Sequence, residues 1–330
     1  MKVSIIIPLY NKAPYIKKAL QTVCSQTYQD WECIIMDDGS TDGSAELAEQ
    51  MLSELADSRF RLLSQSNAGV AAARNNAVKQ SCGEFLCFLD ADDWWEQTFV
   101  EEMVRFSEQV PNAGLWASNY IYYKPGKTHV GVTNLAYDDT THTTFNYPKS
   151  YAQGSGMPVW TGAVMMRRSI FDECGGFPLG VRLGEDFLLW AKVALRYPVA
   201  FQDKPLAYYN NDVPAALRAT RNLHEPQKHM LFLLEPIENE ITNLPTALQT
   251  DWQRLLSILR ANGLLEYWLD DRYHDLAATE LEKINWSLLP SSAKQLYRLP
   301  IFVVRFKQKF MRVGSYFKQQ ILKFVVRRLL

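Results

Sequence analysis

Asp90-Ala91-Asp92-Asp93 places three carboxylates directly after the short apolar run Glu84-Phe85-Leu86-Cys87-Phe88-Leu89. The run has the length and composition of a buried strand, and Gly83 before it reads as a helix stop. The acids therefore gather where a strand ends. Carboxylates this close repel one another and raise each other's pKa. A divalent cation relieves that repulsion, because hard cations take oxygen ligands, and a diphosphate brings further oxygens to the same ion. The arrangement points to metal-dependent handling of a nucleotide diphosphate. The competing reading is an acidic helix cap, with Trp94-Trp95-Glu96 opening the helix.

The elements that must position these acids alternate from the start of the chain. Val3 to Ile7 is a continuous β-branched run of the kind found in buried parallel strands. Pro14 suits the first turn of a helix reaching about Gln26, and Trp31 to Met36 is a second strand. Asp42 can cap the next helix, whose apolar residues Ala48, Met51, Leu52 and Leu55 follow helical spacing. Phe60 to Leu63, Val70 to Lys79 and Glu84 to Leu89 continue as strand, helix and strand. Repeated βα units predict a parallel, doubly wound sheet, in which ligands bind beyond the carboxyl ends of the strands. Pro8-Leu9-Tyr10-Asn11, Asp37-Asp38-Gly39-Ser40 and Asp90 to Asp93 all fall at such ends and should share one rim. Further on, Leu115 to Tyr123 reads as a strand and 124–150 as a hairpin or excursion. Thr161 to Arg167 is apolar and enters a helix at Ser169, and Glu185 to Arg196 is another helix. From His224 the pattern is helical. The expected division is a catalytic domain at 1–223 and a helical extension at 224–330.

A chain of 330 residues with 47 % apolar and 12 % aromatic side chains is globular rather than disordered. Its net charge of −1 is unevenly spread. Ala293 to Leu330 holds ten Lys or Arg and no acid, leaving 25 basic against 36 acidic residues before it. Phe302, Phe306, Phe310, Val313, Phe317, Ile321 and Phe324 recur at helical spacing there, with Arg305, Lys309, Arg312, Lys323 and Arg327 on the other side. A basic amphipathic helix over about 299–330 reads as an anionic-membrane-surface element, or as a helix packed on a core or a second subunit. A basic tail also suits nucleic acid, but no motif supports that, and none is expected as a partner. Five cysteines without C-x-x-C spacing predict a reducing compartment and no zinc site. The first apolar run is too short for a signal peptide, and no stretch has the length of a membrane-spanning helix.

Five groups stand in order: Ser4-Ile5-Ile6-Ile7-Pro8-Leu9-Tyr10-Asn11, Asp37-Asp38-Gly39-Ser40-Thr41-Asp42, Asn67-Ala68-Gly69 with Ala73-Arg74-Asn75, Asp90-Ala91-Asp92-Asp93, and Gly184-Glu185-Asp186. In order and spacing they resemble the family 2 glycosyltransferases, over roughly Met1 to Asn211. The resemblance implies a GT-A fold, that is, an α/β Rossmann-like, mostly parallel sheet flanked by helices. It implies an inverting, metal-dependent transfer from a nucleotide sugar, with a UDP-sugar the expected donor and Mn2+ or Mg2+ the expected ion. It places donor binding on Pro8, Tyr10, Asn11, Asp38, Asn67, Gly69, Arg74, Asp90 and Asp93, and the metal on Asp92. Tyr10 offers a ring for a nucleobase, Asp38 an acceptor for the uracil imide, and Arg74 a cation for phosphate. Which of the three clustered aspartates ligates directly stays open. Asp186 matches the family's catalytic base, and Trp160, Thr161, Gly162 and Glu185 fall where relatives bind the acceptor. Trp160 also reads as a core aromatic, and Glu185 and Asp186 also read as first-turn acids favoured by the helix dipole.

The family's His after the last strand is missing. Tyr208-Tyr209-Asn210-Asn211-Asp212 stands there instead, and this leaves the third metal ligand unassigned. The expected acceptor is a glycan or lipid-linked glycan of a bacterial surface polysaccharide or lipopolysaccharide. The expected place is the cytoplasmic side of the cell membrane, with oligomerisation open. Two rivals are a non-catalytic nucleotide-binding scaffold of the same fold and a sugar-nucleotide pyrophosphorylase. The second would want a glycine- and lysine-rich loop after the first strand, which Pro8-Leu9-Tyr10-Asn11 does not supply.

Overall fold

The computed structural model describes residues 1–299 apart from 139, 142, 155 and 215–222, together with Val304. Strand β1 (Val3–Leu9) lies between β2 (Trp31–Asp37) and β4 (Phe85–Phe88), parallel to both, and β3 (Phe60–Ser64) adds in parallel to β2. The apolar side chains of β1 are wholly buried, as its unbroken apolar run requires. Helices α1 (Ile16–Cys24), α2 (Ser44–Leu55) and α3 (Val70–Gln80) form the crossovers, and α3 packs on β1 and β2. Asp42 serves α2 from just outside it. Gly43 takes the cap position at φ 87°, and the Asp42 carboxylate accepts the Ser44 N–H at 3.0 Å.

Beyond β4 the sheet is mixed, which completes the mostly parallel sheet expected from sequence. The order is β3-β2-β1-β4-β8-β6-β9-β5, with β7 on β6. Strand β8 (Val164–Arg167) runs antiparallel to β4 and to β6 (Leu115–Tyr123), while β9 (Val199–Asn210) runs parallel to β6. Two antiparallel steps restore the original direction. The carboxyl ends of β6 and β9 therefore point the same way as that of β4, where the acids stand. A hairpin carries β7 (His129–Val130), as the 124–150 stretch allowed.

Trp94 and Trp95 do not open a helix. They form a two-residue strand, β5, antiparallel to Ala207 and Tyr208 of β9, and the following helix α4 starts at Phe99. The capping reading of Asp90 to Asp93 thus lacks the helix it needs. Helix α5 (Tyr147–Ala152) precedes β8, α6 (Arg168–Glu173) follows it, and α7 (Glu185–Arg196) has the bounds expected from its periodicity.

A buried polar knot ties the early strands to α6. Glu32 Oε1 accepts the Ser4 hydroxyl at 2.8 Å and the Cys82 and Gly83 N–H groups at 2.5 and 3.2 Å. Arg168 donates to the carbonyls of Val78 and Gly83 and to Ser81 Oγ. Gly83 has to be glycine, because a Cβ there would lie 2.6 Å from the Ser4 nitrogen.

The chain divides into two compact units, Met1–Trp252 and Gln253–Leu330. The cut falls in helix α9 (Thr246–Gly263), later than the 223/224 boundary expected from sequence. The reason is that α8 (Glu235–Ile241) and the start of α9 belong to the first unit. Arg196 pairs with Glu240 at 2.8 Å, Asn146 donates to Asp251 at 2.9 Å, and Trp252 stacks near Tyr147 at 5.8 Å. The second unit is helical, with α10 (Leu265–Leu269), α11 (His274–Glu282) and α12 (Ser291–Arg298), and a buried Arg260–Glu280 pair at 3.1 Å. Apart from Leu299 and Val304, the basic segment at 299–330 lies outside the described residues. No described helix is long and apolar enough to cross a membrane.

Burial opposes the charge of Glu32, but the Cys82 N–H and the Ser4 hydroxyl outweigh it and hold the carboxyl below its ordinary 4.5. A carboxyl depressed by folding stabilises above its unfolded pKa, and that contribution is lost as pH falls through the lower folded value. Glu32→Gln should therefore cost about 1–3 kcal/mol at pH 7 and flatten the acid limb of the stability profile below 4.5. Urea unfolding at pH 7 and pH 4 checks both. An unchanged acid limb would mean that other carboxyls carry it.

Candidate active site

The rim begins with a junction between the ends of β1 and β2. Asn11 sits in the left-handed region at φ 53°, which Asn tolerates better than most residues. Its N–H donates to Ser40 Oγ at 3.1 Å and its side-chain oxygen accepts the Thr41 N–H at 2.8 Å. Asp37 accepts the Ser40 N–H at 3.2 Å, the local turn role expected of it. The buried Asp38 carboxylate accepts Gln65 Nε2, the Ala68 N–H and the Gly69 N–H at 2.7–2.8 Å. Asn67 Nδ2 returns to the Asp38 carbonyl at 2.9 Å. Asp38, Asn67 and Gly69 are thus one interlocked loop, with the carboxylate turned toward its own chain. Gly39, at φ 73°, is needed here, since a Cβ would press on the Asn67 nitrogen at 3.2 Å. Tyr10 stands 47 % exposed on the same rim, and Pro8 is half-buried in β1.

The three clustered aspartates have three different partners. Asp90 Oδ1 accepts Arg74 Nη2 at 2.7 Å. Asp92 Oδ2 meets Lys12 Nζ at 2.5 Å. Asp93 is buried and accepts the Asn210 N–H at 2.7 Å. Burial, reinforced by Asp92 and Asp90, pushes the Asp93 carboxyl well above the usual range. Asn210, the last residue of β9, thus holds Asp93 through its backbone.

Arg74 is 3 % exposed and closes the site from beneath. Besides Asp90 it holds Glu185 Oε1 at 2.9 Å, and its guanidinium lies 5.0 Å from the Phe177 ring centre. Burial works against its charge, and the carboxylates of Asp90 and Glu185 overcome that and raise its pKa. Glu185 is pushed up to about 7 by burial and by Asp186, against the pull of Arg74. Asp186, the next residue, is half-buried and accepts the Thr161 hydroxyl at 3.1 Å. Gly184 precedes them at φ 84°, and a Cβ there would collide with Met230.

These contacts give several of the expected site residues further partners. Arg74, expected as a cation for phosphate, pairs with the carboxylates of Asp90 and Glu185. Glu185, expected near the acceptor, is the partner of Arg74. Trp160 is 4 % exposed and packs against Tyr120 and Tyr209, while the Gly162 carbonyl accepts Trp95 Nε1 at 2.6 Å, so both belong to the core. Of that group, Thr161 alone reaches a candidate catalytic atom. Sequence reading missed Lys12, whose signal was a cation directly after the strand-end Asn11. It also missed the tyrosines beside the acids, whose signal was their recurrence in Tyr120-Ile121-Tyr122-Tyr123 and Tyr208-Tyr209.

No group of three His, Cys, Asp or Glu among the described residues converges as a metal cage. The site still fits an ion that draws most of its ligands from a diphosphate and water, as Mg2+ does with one or two carboxylates. Of the two half-buried acids, Asp92 is paired with Lys12 at the rim and Asp90 with the buried Arg74.

Comparison with known proteins agrees with the resemblance. The family described as "Glycosyl transferase family 2" matches residues 4–175. An uncharacterized glycosyltransferase of Rickettsia felis is 31 % identical over 207 residues, which is 62 % of this chain and 32 % of that relative. A putative teichuronic acid biosynthesis glycosyltransferase of Bacillus subtilis, TuaG, is 38 % identical over 105 residues, 32 % of this chain and 41 % of that one. The chain thus spans about a third of the length of the first of these curated relatives. The crystal structure of S. aureus TarS 1-349 in complex with UDP-GlcNAc superposes with TM-score 0.69 at 20 % identity, covering 96 % of this chain and 93 % of that one. At that identity the likeness speaks for the fold, which is the α/β GT-A class expected from sequence.

Arg74→Met should destabilise the protein by about 3–5 kcal/mol at pH 8, because it strands two buried carboxylates. Glu185 is raised above its ordinary 4.5, so its charge costs stability as pH rises toward 7. Part of the loss should accordingly return at pH 5.5. Chemical unfolding at the two pH values tests this, and an equal loss at both would remove Glu185 from the account.

Proposed function

This chain belongs to glycosyl transferase family 2, and from that premise we propose that it moves a sugar, with inversion, from a UDP-sugar to a hydroxyl of a glycan or lipid-linked glycan. The observation that carries the reading is the position of Asp186. It is the half-exposed carboxylate at the start of α7, oriented by Thr161 and linked through Glu185 and Arg74 to the acidic end of β4. A base and a diphosphate-binding edge are thereby held in one frame.

In the proposed reaction Asp186 takes the proton of the acceptor hydroxyl as its oxygen attacks the anomeric carbon. The bond from that carbon to the diphosphate oxygen breaks, and its electron pair leaves with UDP. The proton on Asp186 then passes to solvent. Positioned general bases contribute about 10²–10⁴ in rate. Thr161 keeps the carboxylate aimed, and Arg74 keeps Glu185 from displacing it.

Charge balance favours a metal. Among the described residues the ion-pair partners of Asp90, Asp92 and Glu185 are Arg74 and Lys12, two cations for a cluster of five carboxyl groups that also holds Asp93 and Asp186, so a diphosphate would enter a site short of cations. Asp92 would hold the ion, with Asp93 and Asp90 behind it, and Mn2+ or Mg2+ would supply positive charge to the departing diphosphate. Tyr10, exposed on the rim, would stack on the base, and the loop locked by Asp38 would border the uracil. The UDP-GlcNAc complex of TarS supports a UDP-sugar, and the name of TuaG supports bacterial surface-polysaccharide synthesis. The basic segment 299–330 supports attachment to the anionic inner face of the cell membrane, at ~1 kcal/mol per basic residue near the surface.

Asp186→Asn should cut transfer by about 10²–10⁴ while UDP-sugar affinity stays within a few-fold, because the base acts on the acceptor. Equal loss of donor binding in calorimetry would make Asp186 a donor-site residue instead. Asp92→Asn should abolish the Mn2+ enhancement of UDP binding with the fold intact. Lys12→Met, which frees Asp92, should tighten Mn2+ binding without nucleotide. If calorimetry finds it weakened, Lys12 does not compete with the ion.

A further inference from the structure

Lys12 is fixed at its backbone and only partly used at its tip. Its N–H donates to Ser44 Oγ at 2.7 Å, and its carbonyl accepts the Tyr15 and Ile16 N–H groups at 2.9 and 3.1 Å as α1 begins. Asn11 before it is held at φ 53° by Ser40 and Thr41. The turn that leaves Tyr10 on the rim therefore also sets the root of the Lys12 side chain. From that root the side chain crosses to Asp92, 80 residues on, and meets Oδ2 at 2.5 Å. One cation thus spans the distance from the Tyr10 turn to the acidic end of β4.

An ammonium group carries more N–H donors than one carboxylate oxygen can take. Among the described residues the one hydrogen bond of Lys12 Nζ is to Asp92, so donors are left over. The pair also keeps solvent contact, with the side chains 19 % and 18 % exposed. Arg74 differs on both counts. It gives Nη1 to Glu185 and Nη2 to Asp90, and its side chain is 4 % exposed. Of the two cations that pair with these acids, Lys12 is the one a ligand on the rim can reach.

A nucleoside diphosphate has two ends to satisfy. In the function proposed above the base lies at Tyr10 and the ion at Asp92, so the diphosphate must run between those points. Lys12 is rooted at the first and ends at the second. Charge-assisted bonds from nitrogen to phosphate oxygen are short and strong, and a point charge on a flexible stem can follow a phosphate as it settles. The same ammonium also masks the charge of Asp92, which unpaired would repel the phosphates.

We propose that Lys12 binds the donor diphosphate directly, bridging a phosphate oxygen and Asp92, and gives the site its preference for a nucleoside diphosphate over a nucleoside before any metal enters. This inference rests on the function proposed above and assigns a cation to its donor.

The test uses the full chain in EDTA, with calorimetry for UDP and saturation-transfer NMR, which detects weak ligands, for uridine. UDP should bind more tightly than uridine. Lys12→Gln should weaken UDP about ten- to hundred-fold and leave the uridine signal unchanged, and Lys12→Arg, which keeps the charge, should retain most of the UDP affinity. Because Lys12→Gln also uncovers the charge of Asp92, the double variant Lys12→Gln with Asp92→Asn separates contact from masking. Direct contact predicts that the double variant stays weak. Recovery of the wild-type affinity would reduce Lys12 to a counter-ion of Asp92 and overturn the proposal. So would normal UDP binding by Lys12→Gln, an equal loss of uridine, or UDP binding that needs Mn2+. A wild-type chain that binds UDP neither with nor without Mn2+ would instead overturn the function itself.

Discussion

A guanidinium buried between two carboxylates holds this site together. Arg74 comes from α3, Asp90 from the end of β4 and Glu185 from the start of α7, so one side chain joins segments 16 and 111 residues away. A buried cation without partners is prohibitively costly, and either carboxylate alone would leave it half-paired. Burial of Arg74 therefore forces the strand end and the helix start together. Asp186, next to Glu185, inherits its place from that constraint. The packing of Phe177 on the guanidinium and the left-handed Gly184 before the helix are the local means by which it is met.

The same logic sorts the acids. Adjacent aspartates cannot all be ionised in a half-buried turn without help. Arg74 neutralises Asp90 from below, Lys12 neutralises Asp92 from the rim, and Asp93 is held by a backbone donor with its carboxyl pushed upward. The two cations differ in kind. Arg74 is sealed and gives one terminal nitrogen to each of two carboxylates, whereas Lys12 is a point charge on a flexible stem. The Asp90–Arg74 pair is therefore part of the buried fold, and the Asp92–Lys12 pair stands at its rim.

Much of this was legible in the chain. Continuous apolar runs and helical spacing located β1 to β4 and α1 to α3, and placed the strand-end motifs on one rim. The five ordered groups pointed to the family. What could not be read were pairings between distant segments. Trp94 and Trp95 look like the opening of a helix because Asp precedes them, yet Tyr208 and Ala207 recruit them into a strand. Arg74 reads in the sequence as a cation for phosphate, and only the fold brings two carboxylates to it. Trp160, Thr161 and Gly162 are all buried, and order along the chain does not say that it is the Thr161 hydroxyl that meets Asp186.

The site is asymmetric in chemistry as well as in charge. One side consists of carboxylates and their two cations, a setting for phosphate and metal. The other consists of tyrosines and a histidine on three strands, with Tyr120 and Trp160 as their base. The two sides meet at Thr161, whose neighbour Trp160 packs edge to face on Tyr209 and whose hydroxyl holds Asp186. The carboxylate at the start of α7 is therefore fixed twice, by aromatic packing through Thr161 and by the buried arginine through Glu185. A change on either side, in the tyrosine packing or in the buried ion pair, must reach it.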